Sequence, residues 1–170
     1  MTTVRAAILT VSDRSARGER PDASGPALEK IASEQSWQVH AIAIVPDDNA
    51  AIQEMLIRWC DAGNVDLILT TGGTGFAARD VTPEATLAVI ERQAPGLAET
   101  MRMESLKITP HAMLSRAVCG IRKQTLIINL PGSPNAAREN LYTVLPGIQH
   151  AVELLQESSE SENQHQFKHP

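Results

Sequence analysis

The stretch Val65–Thr86 sets a strand, a glycine loop and a helix start in direct succession, an order that few folds accept. Val65, Leu67, Ile68 and Leu69 form a short apolar run bounded by Asn64 and Gly72, which reads as a buried strand of a parallel sheet. Thr82, Pro83 and Glu84 read as a helix start, with Thr82 as N-cap, proline at the first helical position and an acid at the positive end of the dipole. Between them, Gly72, Gly73 and Gly75 free the backbone N–H groups to approach an anion closely. Thr74 adds a hydroxyl, and Asp80 sets a carboxylate where a metal ion accompanying a phosphate would sit. The loop lacks the Gly-Lys-Ser/Thr ending of a P-loop. Gly73-x-Gly75-x-x-Ala78 fits a dinucleotide fingerprint only loosely, because the helix start comes too late, at Thr82. The loop is a candidate nucleotide site; its plainer reading is a tight strand-to-helix turn.

At 170 residues and 42% hydrophobic, the chain suits one well-buried domain. A net charge of −5 disfavours nucleic acid, which leaves a basic footprint on its binders, and 3% aromatic content leaves few stacking platforms. The N-terminus has no signal-peptide pattern and no apolar run approaches ~18 residues, so a soluble, cytoplasmic protein without membrane contact is expected. Cys60 and Cys119 are isolated in sequence and read as buried thiols, and the five histidines show no ligand spacing.

Taken in order, Val4–Val11 is a first strand ending in the polar turn Ser12–Ser15, and Gly25-Pro26 opens a helix. Trp37–Val45 is a second strand that stops at Pro46-Asp47-Asp48, where Asp48 or Asn49 caps a helix with Ile52, Met55, Leu56, Trp59 and Cys60 on one stripe. Helices are expected from Pro83 to about Arg92 and from about Leu97 to Leu106. Met101, Met103 and Met113 read as core or interface. Irregular chain around Pro110, a short strand at Ala117–Arg122 and a clear strand at Thr125–Leu130 follow. Ser133 and Pro134 open a last helix that Pro146-Gly147 should kink. Residues 1–156 make one domain, and 157–170, rich in Ser, Glu, Gln and His, are expected to be a disordered tail.

This alternation implies a three-layer α/β sandwich, with a mostly parallel sheet flanked by helices on both faces. Ligands of such sheets bind beyond the carboxyl ends of the strands. That edge collects Ser12-Asp13-Arg14, Pro46-Asp47-Asp48, Gly72–Asp80 and Asn129–Asn135. An anion cradle, several carboxylates, a second glycine-proline loop and the basic Arg14 and Arg79 then meet. Two aspartates beside a phosphate loop suit Mg²⁺, and phosphoryl or nucleotidyl transfer needs mainly positioning and charge neutralisation. Asp48 also suits a helix cap, Asp13 an Asx-turn, and both arginines a solvated surface.

Several motifs occur together: Thr10-Val11-Ser12-Asp13, Pro21-Asp22-x-x-Gly25-Pro26, Thr71-Gly72-Gly73-Thr74-Gly75-Phe76-x-x-Arg79-Asp80-Val81-Thr82-Pro83-Glu84-Ala85-Thr86, Glu104-Ser105-Leu106, Leu114-Ser115-Arg116 and Asn129-Leu130-Pro131-Gly132-Ser133-Pro134. With these, roughly Val4–Leu155 closely resembles the Mog-type molybdopterin adenylyltransferases, including the G domains of the plant molybdenum-cofactor enzyme and of gephyrin. The resemblance implies that molybdopterin and Mg-ATP give adenylylated molybdopterin and pyrophosphate in molybdenum cofactor biosynthesis. It also implies a homotrimer and, with no insertion domain fused to the chain, a separate molybdenum insertase as partner.

By resemblance, Asp80 and Asp47 are the catalytic and Mg²⁺-binding carboxylates, with Asp48 left as the alternative to Asp47. Gly72, Gly73, Thr74, Gly75, Asn129, Pro131, Gly132, Ser133 and Pro134 fall on nucleotide and phosphate contacts, and Ser12, Asp13, Ser105 and Ser115 on pterin contacts. Two other readings stand beside this one: a nucleotide pyrophosphatase of the same fold, and a pterin carrier or scaffold trimer without chemistry.

Overall fold

A computed structural model of the chain describes residues 3–156. The expected disordered tail at 157–170 lies outside the described residues. The elements are β1 (Arg5–Val11), α1 (Asp13–Ala16), α2 (Ser24–Glu34), β2 (Gln38–Val45), α3 (Asn49–Asp61), β3 (Leu67–Thr71) and α4 (Thr82–Val89). They continue with β4 (Arg92–Gln93), α5 (Pro95–Leu106), a 3-10 helix (Pro110–Leu114), β5 (Cys119–Arg122), β6 (Thr125–Leu130) and α6 (Pro134–Leu155). All strands join one sheet in the order β2-β1-β3-β6-β5-β4.

Alternate side chains of the central strands supply two cores. Ile8, Leu67, Leu69, Leu126 and Ile128 pack with Leu28 and Ile31 of α2, Met101 of α5 and Leu141 and Ile148 of α6. Ala7, Leu9, Ile68 and Ile127 point the other way, against Ile52, Leu56 and Cys60 of α3 and Ala85 and Val89 of α4. Strands buried on both faces must be apolar at successive positions, which is why β3 and β6 read as continuous runs. The expected three layers are present.

Two departures lie at one edge of the sheet. β5 and β4 run antiparallel, β5 to β6 and β4 to β5. Only Lys123 and Gln124 separate β5 from β6, too short a link for the crossover that parallel pairing requires. The helix expected to reach Arg92 stops at Val89, because Arg92 and Gln93 pair with Ile121 and Gly120. With two exposed polar residues, β4 has no alternation to betray it. In contrast, α6 runs unbroken through Pro146. That proline is exposed, so the carbonyl it leaves without a helical donor faces water.

At the end of the sheet opposite the strand carboxyl termini, Asp66 is 1% exposed. It accepts hydrogen bonds from the Arg5 backbone N–H at 2.8 Å, Arg5 Nε at 3.0 Å and Gln156 Nε2 at 2.7 Å. Burial pushes its carboxyl up, but the Arg5 side chain and backbone, aided by Gln156, outweigh burial and hold it below its ordinary value. A carboxyl lowered by folding stabilises the protein above its unfolded pKa of about 3.9, and that contribution is lost as pH falls through the folded value. Asp66→Ala is therefore expected to cost about 3 kcal/mol at pH 7 in denaturant melts, with a gap to wild type that narrows below about pH 4. An unchanged gap at acid pH would contradict this account.

Candidate active site

The chain leaves β1 in opposite sheet directions, to β2 on one side and β3 on the other. The switch point of the parallel sheet thus lies at the carboxyl ends of these strands, where a crevice is expected. A cavity of 680 Å³ opens there, reached by the ends of β1 and β3 and by the loops after β2 and β6.

Ser12 ends β1, donates its N–H to the Val45 carbonyl at 2.9 Å and caps α1 through Oγ, which accepts from Ser15 N–H at 3.2 Å. What read as a polar turn is thereby a single turn of helix. The next residue, Asp13, forms a reciprocal pair with Asp47: the Asp13 N–H donates to Asp47 Oδ2 at 2.8 Å, and the Asp47 N–H to Asp13 Oδ1 at 2.9 Å. Asp48 caps α3, accepting from the Ala51 N–H at 2.8 Å. The two neighbouring carboxylates are thus separated by role: Asp47 lines the cavity and Asp48 holds a helix.

Gly72 and Gly73 turn the chain out of β3 at φ +102° and +68°. The Gly72 N–H donates to the Leu130 carbonyl, and the Gly73 carbonyl accepts from the Thr82 N–H, both at 3.1 Å. Thr82 differs from its expected part. Its buried hydroxyl donates to the Gly72 carbonyl at 2.8 Å instead of capping α4, so it secures the base of the loop. Asp80 closes the loop, with Oδ2 accepting from the Ala77 N–H at 2.9 Å. A methyl group on Gly73 would lie 3.4 Å from Asp47 Oδ1, and one on Gly75 would lie 2.8 Å from Asp80 Oδ2. One carboxylate therefore stands beside each end of the glycine run.

Ser12, Asp47, Gly72 and Gly73 line the large cavity together with Asp80, Gly132, Ser133 and Pro134. Ser133 caps α6, whose N-terminus opens on this space and favours an anion. Thr74, Gly75, Ser105, Ser115 and Pro131 instead line a second cavity of 280 Å³. The loop 72–80 is the wall between the two. The residues expected to hold one nucleotide and one pterin are thus divided, with Ser12 apart from Ser105 and Ser115.

Two expected contacts line neither cavity. Asp13 is the partner of Asp47 just described: its carboxylate holds the Asp47 backbone, and its own N–H holds the Asp47 carboxylate. Asn129 is fully buried; its Nδ2 donates to Thr70 Oγ1 and Thr86 Oγ1, both at 2.9 Å, and its Oδ1 accepts from the Val118 N–H at 3.1 Å. Its place directly before Pro131-Gly132 made it look like a loop residue, but as part of β6 it faces the core. Asn129→Ala is expected to lose about 3 kcal/mol in a thermal melt, since it strands the buried hydroxyls of Thr70 and Thr86 and the part-buried Val118 N–H, while nucleotide affinity of the folded fraction stays near wild type.

Of the other lining residues, Arg79 was expected at this edge while Arg14, expected with it, lines neither cavity; Arg20, Arg102 and Asn140 carried little signal in the sequence. Arg20 and Arg79 are exposed at the rim of the large cavity. Asp22, within the Pro21-Asp22-x-x-Gly25-Pro26 pattern, accepts from Thr10 Oγ1 at 2.7 Å and from the N–H groups of Ser24 and Gly25, shaping the start of α2. Ser24 Oγ in turn donates to the Gly132 carbonyl at 2.7 Å. The second cavity adds Arg102, whose Nη1 donates to the Ala117 carbonyl at 3.0 Å, and Asn140, whose Nδ2 donates to Ser105 Oγ at 3.1 Å. Cys60 and Cys119 are buried away from both spaces. Burial pushes their thiols up to about 11 and about 12, which leaves neither a nucleophile at neutral pH.

The large cavity fits Mg²⁺ on the chemistry of its donors. Asp47 and Asp80 each engage one oxygen with a backbone N–H, and their Oδ1 atoms accept no hydrogen bond among the described residues. Among those residues no group of three or more His, Cys, Asp or Glu is placed to hold a metal ion. A cation here would complete its shell with ligand oxygens and water, as Mg²⁺ commonly does.

The chain is similar to known proteins over most of its length. Over 158 residues the chain is 46% identical to the molybdopterin adenylyltransferase of Helicobacter pylori strain J99, covering 91% of this chain and 89% of that protein. It is 47% identical to gephyrin of Dictyostelium discoideum over 91% of this chain and 23% of that much longer protein. The crystal structure of the molybdopterin biosynthesis enzyme MoaB from Thermus thermophilus superposes with a TM-score of 0.87 at 49% identity, covering 92% of this chain and 98% of that one. Residues 7–150 match the family model described as the probable molybdopterin binding domain, and the chain belongs to that family.

Proposed function

We propose that the chain is a molybdopterin adenylyltransferase, acting in molybdenum cofactor biosynthesis. The observation that carries the reading is the pair of cavities sharing the loop 72–80, the larger with the carboxylates of Asp22, Asp47 and Asp80 and a helix N-terminus, the smaller with hydroxyls, an amide and an arginine. A space of 680 Å³ is of the size that takes a nucleotide, and 280 Å³ suits a compact ring system.

ATP binds in the larger space and molybdopterin in the smaller one. The terminal phosphate of molybdopterin is already anionic and needs no general base. Its oxygen forms a bond to the α-phosphorus of ATP, and the bond from that phosphorus to the bridging oxygen breaks, releasing pyrophosphate. Between two anions the barrier is chiefly repulsion and orientation. Gly73 presents its backbone N–H group, the start of α6 adds its positive end, and Arg20 and Arg79 offer guanidinium groups at the rim. Asp47 and Asp80 would hold Mg²⁺, which when bound neutralises phosphate charge.

The expectations of a homotrimer, a separate insertase and a cytoplasmic setting rest on family resemblance and belong to the same proposal. No helix among the described residues is long and apolar enough to cross a membrane.

Incubation with molybdopterin, ATP and Mg²⁺, followed by mass spectrometry, is expected to show the pterin mass increased by AMP, with pyrophosphate released. Nucleotide cleavage without pterin would support the pyrophosphatase instead. Pterin binding without any product would support the carrier.

A further inference from the structure

Arg116 lies on the chain between the 3-10 helix and β5, and its contacts run to the wall between the two cavities and to the first turn of α4. Its backbone N–H donates to the Thr74 carbonyl at 2.9 Å. Its Nε donates to the Gly75 carbonyl at 2.7 Å and its Nη2 to the Asp80 carbonyl. Nη1 forms an ion pair with Glu84 in the first turn of α4. One planar group therefore ties together the two ends of the excursion Phe76–Arg79, all four residues of which are exposed. Among the described residues, the hydrogen bonds of the excursion itself are those of the Asp80–Ala77 turn, from the Asp80 N–H to the Ala77 carbonyl and from the Ala77 N–H to Asp80 Oδ2. Without the guanidinium, a short exposed loop would have to be ordered at the moment of binding, and its cost would fall on the step that needs Asp80.

We propose that Arg116 is a positioning residue of the transfer reaction: it fixes the loop so that Asp80 faces the nucleotide cavity while Thr74 and Gly75 face the other, and itself touches neither substrate. This inference rests on the proposed adenylyl transfer for its kinetic consequence, and on the loop geometry alone for its structural one. The shape of the group matters more than its charge. A lysine ammonium keeps the charge but cannot span Gly75, Asp80 and Glu84 together, because it lacks the rigid fork. The pair with Glu84 holds that carboxyl below its ordinary value, and with both side chains part-exposed it contributes little by itself.

The test compares R116A, R116K and E84Q. Hydrogen exchange of the free protein is expected to speed up by about tenfold or more at the 72–82 amides in R116A and R116K, while β1, β3 and β6 keep their protection. In turnover, both variants should lose about 10- to 100-fold in kcat and require more Mg²⁺ for half-maximal rate, while E84Q stays within about twofold of wild type. Wild-type exchange of the loop in R116A, or full rescue of loop and rate by R116K, would overturn the proposal. If R116A does not fold, R116K alone decides it by the same two readouts. If the wild-type protein makes no adenylylated pterin, the functional reading fails, and loop exchange still judges Arg116.

Discussion

Asp80→Asn is expected to lower the rate of adenylyl transfer by about 100-fold or more, equivalent to about 2.7 kcal/mol of transition-state stabilisation, while the melting temperature moves by less than about 2 °C. The reason for the separation is local. Asp80 is half-exposed at the cavity wall, and among the described residues its one side-chain hydrogen bond is the acceptance from the Ala77 N–H, which an asparagine oxygen can also make. The substitution thus keeps the turn and removes only the charge. A charge with little part in folding matters here because neutralising phosphate oxygens is most of what this chemistry asks of a protein. Asp47→Asn should behave alike, since an asparagine oxygen can still accept the Asp13 N–H. Asp48→Ala, one residue away, should do the reverse, costing about 1 kcal/mol as a lost helix cap and leaving the rate near wild type. Single-turnover kinetics and thermal melts on the three variants decide the matter; a fully active Asp80→Asn protein of unchanged stability would remove the metal role from this loop.

That contrast also marks how far the sequence could be read. Asp47 and Asp48 follow the same strand and carry the same group, and only the Ala51 N–H bonded to Asp48 and the Asp13 N–H bonded to Asp47 tell them apart. The apolar runs of β1, β3 and β6 were legible because burial on both faces keeps most successive positions apolar. β4 was not, since two exposed residues have no period. Asn129 misled because its proximity to Pro131-Gly132 is a fact of sequence, whereas its direction follows from the pleat: Ile128 and Leu130 flank it on a strand, and its amide meets Thr70 and Thr86 from elements far away in the chain. Arg116 shows the same limit. The motif contained it, but a guanidinium acting across 41 residues on a loop carbonyl leaves no local mark. Cavity-lining residues on the motif loops were legible; those that hold the loops in place required the fold.

Gly72→Ala is expected to be the most damaging single methyl added to the chain, costing about 4 kcal/mol or more and lowering the melting temperature by about 10 °C or more. Two penalties coincide. The residue sits at φ +102°, where a side chain is strained whatever room it has, and its new Cβ would stand 2.3 Å from the Val11 carbonyl oxygen. That oxygen is backbone at the end of β1, a strand paired on both sides, so it cannot swing away as a flexible side chain would. The remaining escape is to displace the loop, which would break the Gly72 N–H bond to Leu130 and the Thr82 hydroxyl bond to the Gly72 carbonyl. Those bonds aim Gly73 at Asp47, so lost stability should come with lost nucleotide affinity in whatever fraction folds. Gly147→Ala provides the control: it lies in α6 with nothing within 4 Å of the added methyl and should gain about 0.5–1 kcal/mol from helix propensity. If Gly72→Ala melts and binds ATP like wild type, the loop is softer than its contacts imply, and the case for a preformed phosphate cradle falls with it.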